Sequence, residues 1–276
     1  MSEALQTADR SLWLVVPLAI AIGAFLGIVG GMVGLVLGNL RLPAVYFLLD
    51  SAPVAAGTNI GISGLSALGG AWSHIREGAV HWGVFWVMMP TTFAGAFLGG
   101  YLNHFIEPAV LLLIFSIVIL YGGVLSLTQA RQAKKADPLR RAAIAEHFKR
   151  MLTPPLILQG AVIGFVVGVC GGLVGLILGS LRMPAMLKVL RMEPRVAIGT
   201  NMTVGLVAGI AGVTGHLVGG SVDWALLGIM GTVSAVASYH GAKLTGKMKP
   251  ATLLNALGVV LCVVAAAMFW QAIVKF

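Results

Sequence analysis

Charge is scarce in this chain: Asp, Glu, Lys and Arg make up 10% of its 276 residues, against roughly 25% in soluble domains. Acidic side chains are rarer still, and Asp50, Glu77, Glu107, Glu193 and Asp223 all border the ends of apolar runs instead of lying inside them. That placement weighs against a carboxylate proton relay inside the apolar layer. The two cysteines, Cys170 and Cys262, sit in apolar runs, with neither a metal-ligand spacing nor a disulfide framework. No paired Asp, His-Glu motif or Ser-His pair falls within one membrane layer, so the chain reads as a non-enzyme, without catalytic residues, cofactor or metal. Long polar stretches are also missing, which excludes a large water-soluble catalytic domain.

Apolar side chains fill the space, at 58% of the sequence with 37 glycines besides. Apolar runs recur from Leu12 to Ile273, and mean hydropathy is +0.97. Such a chain belongs in a lipid bilayer. The net charge of +9 is concentrated, because seven of the 18 Lys and Arg fall between Gln129 and Thr153. By the positive-inside rule this segment is cytoplasmic. Within it, Ala142 to Arg150 reads as a short basic amphipathic piece for anionic lipid headgroups, in preference to nucleic acid. The N-terminus puts acidic residues before its apolar run and has no small-residue cleavage site, so the first apolar stretch is expected to stay in the protein.

The chain repeats itself. Gly30 to Ala44 reads GGMVGLVLGNLRLPA and Gly171 to Ala185 reads GGLVGLILGSLRMPA, identical at eleven of fifteen positions at an offset of 141. Pro53 and Pro194 keep the offset. After one inserted residue, Gly57-Thr58-Asn59 matches Gly199-Thr200-Asn201, and HIREGAVHW (74 to 82) matches HLVGGSVDW (216 to 224).

Charge asks whether the copies are threaded alike or oppositely, since equivalent loops on opposite sides should differ in Lys and Arg. The loop after Leu102 holds Asn103, His104 and Glu107, whereas its counterpart carries Lys243, Lys247 and Lys249. Before the Thr-Asn segment the first copy has Arg41 alone, and the second has Arg182, Lys188, Arg191 and Arg195. Conversely Arg76 lies in a turn whose equivalent, Val218 to Val222, is uncharged. All three comparisons predict inverted topology.

Full-length helices are expected over Pro53 to Trp72, Val80 to Leu102, Pro108 to Thr128, Pro194 to Leu217, Trp224 to Leu244 and Ala251 to Ile273, each near the ~20 residues a bilayer needs. The elements from Leu12 to Leu49 and from Pro155 to Val189 are longer and interrupted by glycines and a proline, as two crossings or as a re-entrant hairpin. The fold class is therefore an all-α integral membrane protein with two inverted repeats and eight to ten membrane elements. The repeats cover 1–128 and 155–276, joined by a basic cytoplasmic linker at 129–154.

The motifs carry a resemblance. A glycine-rich broken segment ending in Pro (Gly34 to Pro43, Gly175 to Pro184), the triplets Gly57-Thr58-Asn59 and Gly199-Thr200-Asn201, and the turns His74 to Trp82 and His216 to Trp224 resemble the sulfite exporter TauE/SafE family. The chain differs in carrying an arginine two residues before each proline. The resemblance implies a secondary transporter in a bacterial inner membrane that exports small oxyanions such as sulfite or organosulfonates. An anion channel or uniporter on the same scaffold is the alternative.

The candidate substrate residues come in symmetric sets. Arg41 and Arg182 offer forked donors for sulfonate, sulfate or carboxylate oxygens; equally, each could snorkel to a lipid headgroup. Asn39 and Ser180 mark helix interruptions, at Gly38 to Leu40 and Gly179 to Leu181, after which Pro43 and Pro184 can open the next helix. Half-helix N-termini there would face an anion, or Gly34-xxx-Gly38 and Gly175-xxx-Gly179 would form tight crossings. Thr58, Asn59 and Ser63, with Thr200, Asn201 and Thr203, supply amide and hydroxyl groups for an anion or a coupling ion, H+ or Na+; capping and interhelical bonding are the alternatives. His74 and His216 read as structural groups at helix ends before proton shuttles, and Trp82 and Trp224 as interface anchors. Pro90 marks a kink. The partners expected are thus a small anion, the bilayer and a coupling ion, with room for an oligomer and none for nucleic acid.

In a background without native cysteines, single cysteines at Glu107 and Lys247 should be labelled by an impermeant maleimide from opposite faces of the membrane. Labelling from the same face would refute opposite threading.

Overall fold

The structure is a computed structural model that describes residues 2–33, 36–135, 154–190 and 192–244, with scattered helical positions at 259, 262–263, 265–266, 269–270 and 273. The basic piece at Ala142 to Arg150 and most of the span Ala251 to Ile273 lie outside the described residues.

Between residues 2 and 244, nine α-helices and one 3-10 turn at Asn103–Phe105 account for the regular structure of the described residues. In chain order they are α1 (Ser2–Val33), α2 (Gly38–Leu49), α3 (Ala52–Arg76), α4 (Trp82–Leu102), α5 (Pro108–Lys135), α6 (Pro154–Val174), α7 (Gly179–Lys188), α8 (Pro194–Val218) and α9 (Trp224–Lys243). Their starts follow the sequence: Pro53 and Pro194 stand in the first turns of α3 and α8, where a missing N–H costs nothing. The side chains of His81 and Asp223 accept from the N–H groups of Val84 and Leu226 to cap α4 and α9, as N-cap residues do. Helix α5 runs past Thr128 to Lys135 and carries the first basic residues of the central segment with it.

The interruption in each repeat lies earlier than the sequence suggested. Non-helical backbone comes before Gly38 and at 175–178, and Pro43 and Pro184 sit inside α2 and α7, not in their first turns. Gly175 ends α6 in the left-handed region at φ 71, and the Leu176 N–H reaches back to the Gly171 carbonyl at 2.7 Å, which is a glycine C-cap. The helices that follow are short. At 12 residues α2 spans ~18 Å and at 10 residues α7 spans ~15 Å, against a hydrocarbon core of ~30 Å. Neither crosses a bilayer, which fits the re-entrant alternative.

Among the described residues, four stretches are long and apolar enough to cross a membrane: Trp82–Phe105, Pro154–Val174, Arg195–Val218 and Trp224–Lys243. Their outer faces, with Trp86, Leu158, Val166, Ile210 and Val236, are exposed, as lipid-facing side chains are in an isolated chain. Helix α3 is long enough too, at 25 residues, but holds Thr58, Asn59, Ser63, Ser66 and His74, all buried.

Packing follows an ordered row. α1 lies along α9, α9 along α3, α3 along α8, α8 along α4, and α4 along α6. The row reads the same from either end if copies are exchanged, and each half of the sequence places one helix, α4 or α9, among those of the other. Small residues make the close approaches possible. A Cβ at Gly27 or Gly31 would strike α9 at Ala237, Ser234 and Ser238, and one at Gly168 or Gly172 would strike α4 at Thr92 and Ala96. The long crossings use Gly23-xxx-Gly27-xxx-Gly31 and Gly164-xxx-Gly168-xxx-Gly172, while Gly175 and Gly179 make close approaches of their own, to the Ala56 backbone and to the Asn201 side chain, and Gly34 of the matching pair lies outside the described residues.

At the centre, Gly64 of α3 meets Gly209 of α8 backbone to backbone. Gly57 near the start of α3 abuts His216 near the end of α8, and Gly199 near the start of α8 abuts His74 near the end of α3. The two equivalent helices consequently run antiparallel.

Gly175→Ala combines a positive φ with a Cβ at 2.3 Å from the Ala56 backbone, whereas Gly78 has φ 66 and nothing within 4 Å. Gly78→Ala should cost about 1 kcal/mol, and Gly175→Ala several times that because the α3 backbone must also move. Thermal unfolding of purified protein in detergent checks the order.

Candidate functional site

The breaks bring each arginine onto the asparagine of its own repeat. Arg41 lies one turn into α2, and Asn59 is two turns into α3. The Arg41 Nε donates to Asn59 Oδ1 at 2.9 Å, and its Nη2 to the Asn59 carbonyl at 3.4 Å and to Ser63 Oγ at 2.5 Å. In the second copy Arg182 Nε donates to Asn201 Oδ1 at 2.8 Å and Nη2 to the Asn201 carbonyl at 3.1 Å. Both arginines are 1% exposed. The snorkelling alternative is not the arrangement observed.

Asn59 joins the repeats as well. Its amide nitrogen donates to the Gly38 carbonyl at 3.2 Å and, across the molecule, to the Gly175 carbonyl at 2.8 Å. The second break is thereby tied to the first repeat's arginine through one side chain.

Electrostatics make the site unusual. Neither guanidinium has a carboxylate within ion-pair reach among the described residues; the ion pair recorded there is Arg195 with Glu77 at 2.8 Å, on a more exposed part of the molecule. Bringing an ion into a low-dielectric interior costs several kcal/mol, and a hydrogen bond to a charged group returns about 1.5–3. Each arginine also stands near the N-terminus of a short helix whose N-cap residue, Leu37 or Leu178, makes no side-chain cap. Partial positive charge from the helix end adds to the guanidinium. The result is a neutral-walled interior with net positive character at both breaks, suited to a small anion.

The other sequence candidates divide. Ser63 joins Arg41. Thr58 and Thr200 point instead to the opposite repeat, where Thr58 Oγ1 accepts from the Asp223 N–H at 2.8 Å and Thr200 Oγ1 from the His81 N–H at 2.9 Å. This reciprocal pair is a brace between copies and not part of the arginine cluster. Thr203 donates to the Gly199 carbonyl of its own helix at 2.8 Å. Asn39 is half-buried near Gly122 of α5, and the Ser180 side chain lies outside the described residues. His74 and His216 are wholly buried, with His216 Nε2 2.9 Å from the Gly172 carbonyl.

A sequence profile described as sulfite exporter TauE/SafE matches residues 19–268. The chain belongs to the sulfite exporter TauE/SafE family. It is an integral membrane protein of that family. It is 25% identical over 269 residues to the Bacillus subtilis protein named "Probable membrane transporter protein YunE", covering 92% of this chain and 97% of that one. The Bacillus subtilis "Probable membrane transporter protein YdhB" is 24% identical over 247 residues, covering 88% of this chain and 94% of the other. A Haemophilus influenzae "Probable membrane transporter protein" is 24% identical over 273 residues, with 91% and 97% covered. No solved structure matches.

In this family member, contributors that the sequence did not mark are backbone groups: the Gly38 and Gly175 carbonyls, and the Asp223 and His81 N–H groups braced by threonine. The repeat offset gave an unused clue to the last two, because His81 and Asp223 occupy the same position of the matched turns.

Asn59→Ala or Asn201→Ala removes the acceptor for a buried guanidinium and should cost about 2–4 kcal/mol. Thr203→Val removes only a bond within one helix and should cost under about 1 kcal/mol. Thermal midpoints in nanodiscs give the comparison.

Proposed function

We propose that this protein is a secondary transporter of the bacterial inner membrane that exports small oxyanions, sulfite or organosulfonates, by alternating access. The observation that carries the reading is the pair of buried guanidiniums at two helix breaks, without carboxylate partners among the described residues. A scaffold that keeps two such charges in its interior is matched to a ligand that brings negative charge. Family membership supports the same reading, since the relatives bear the names of membrane transporters.

Opposite threading is part of the proposal. It is supported by the Lys and Arg asymmetry of equivalent loops and by the antiparallel run of α3 and α8, which a two-fold axis in the membrane plane requires. The basic segment after α5 then lies in the cytoplasm. Access alternates as the group of α1, α9 and α3 tilts against α8, α4 and α6 across the contact of Gly64 with Gly209, where backbones touch without interlocking side chains.

Purified protein should be thermally stabilised by sulfite, or by an organosulfonate such as isethionate or sulfoacetate. The double variant Arg41→Gln with Arg182→Gln keeps amide donors without the charge; it should fold yet lose at least tenfold in apparent anion affinity. Full stabilisation of that variant would refute the site. In proteoliposomes a carrier exchanges labelled anion against unlabelled anion on the far side, and failure of this counterflow with anion conductance intact would favour a channel.

A further inference from the structure

The repeats are not equivalent at the arginines. A guanidinium has two forked edges, one formed by Nε with Nη2 and the other by Nη1 with Nη2. In both copies the first edge is closed by asparagine, with Nε on the side-chain oxygen and Nη2 on the backbone carbonyl. The second edge differs. In the first copy Ser63 Oγ takes the remaining donor of Arg41 Nη2 at 2.5 Å. The residue aligned with Ser63 at the offset of the Thr-Asn triplets is Gly205, and Arg182 makes no third hydrogen bond among the described residues.

The space belonging to the missing side chain lies beside the same atom. A Cβ built on Gly205 would stand 3.6 Å from Arg182 Nη2, 3.2 Å from Ile177 Cγ2 and 3.8 Å from Ala67 Cβ. A serine hydroxyl, one bond further out, would come within hydrogen-bond reach of that nitrogen. Gly205 thus withholds the acceptor that Ser63 supplies opposite Arg41, and Arg182, 1% exposed, keeps a forked pair of donors open in the interior. A buried donor without a partner is costly unless something fills it.

We propose that Arg182 is the arginine that binds the anion, through its Nη1 and Nη2 edge, and that Arg41 is a positioning residue that clamps the first break. Gly205 decides the difference. Two oxygens on one ligand head fit such an edge, as in sulfite, a sulfonate or a carboxylate. Arg41, whose Nη2 is fully engaged by the Asn59 carbonyl and Ser63 and which is linked through Asn59 to the Gly175 carbonyl, holds the second break in place. This assignment rests on the anion-transport reading and divides its two arginines into unlike roles.

The test compares Gly205→Ser, Gly205→Ala and Ser63→Ala in the full chain in nanodiscs. Gly205→Ser and Gly205→Ala introduce the same Cβ against Ile177, so any strain there cancels between them. Before sulfite is added, Gly205→Ser should melt above Gly205→Ala, because its hydroxyl meets the open donor. Apparent sulfite affinity, from the midpoint against concentration, should fall about tenfold from Gly205→Ala to Gly205→Ser. Ser63→Ala should keep wild-type sulfite affinity within about threefold or improve it. Identical behaviour of the two Gly205 variants, or a tenfold loss in Ser63→Ala, would overturn the assignment and leave the anion reading standing. If neither sulfite nor isethionate stabilises the wild type while Gly205→Ser still melts above Gly205→Ala, the anion reading itself fails and this assignment falls with it.

Discussion

An arginine side chain taken wholly out of water must find acceptors for its donors and some answer to its charge, and in this molecule an asparagine meets one edge of each guanidinium while no carboxylate among the described residues supplies the answer. Asn59 and Asn201 take Nε and one Nη2 donor of Arg41 and Arg182. The breaks in the helices, the uncapped starts of α2 and α7, and the glycines that let α3 and α8 touch are all arranged around this demand. Were α2 continuous with α1, the Gly38 carbonyl could not turn to Asn59 and the guanidinium would lose the side chain that orients its acceptor. The charge left over is the physical reason to look for an anion in the site.

Around this centre the two copies brace one another reciprocally. Thr58 holds the loop before α9, Thr200 holds the loop before α4, and Gly57 and Gly199 sit where a methyl group would collide with the other copy's backbone. Such contacts resist separation of the copies at the ends of α3 and α8 more than sliding at the crossing, where Gly64 and Gly209 meet without side chains. Symmetry ends at Ser63 and Gly205. Duplication supplies two arginine clamps, and one residue makes them chemically different.

Much of this was legible in the chain. The starts of α3 and α8 were visible as prolines and that of α9 fell at Trp224 as expected, whereas α4 begins at Trp82 instead of Val80 because His81 caps it. Arg and Asn stood out as costly polar residues in apolar segments, with the arginines left open between a site and a lipid anchor. The breaks were placed one turn late, because Pro43 and Pro184 looked like helix openers; in fact Gly175 ends the preceding helix in the left-handed region and the prolines ride inside the next one. Thr58 and Thr200 were grouped with the asparagines because they are adjacent in sequence. Neighbours along a helix point ~100° apart, so the threonines face the other copy while the asparagines face the breaks.

Composition, the 141-residue echo and the uneven Lys and Arg of matched loops were enough to specify a duplicated helical membrane protein, because burial cost and charge placement act on residue type alone, and the ordered Gly-Pro, Gly-Thr-Asn and His-to-Trp motifs carried its resemblance to the sulfite exporter TauE/SafE family. Which donors remain open depends on distances between segments far apart in the chain. Ser63 reaching Arg41, Gly205 leaving Arg182 unmatched and Asn59 bonding the Gly175 carbonyl arise only when α2, α3, α7 and α8 are packed together. A hydrogen bond is decided within a few tenths of an ångström, and that scale is set by tertiary structure.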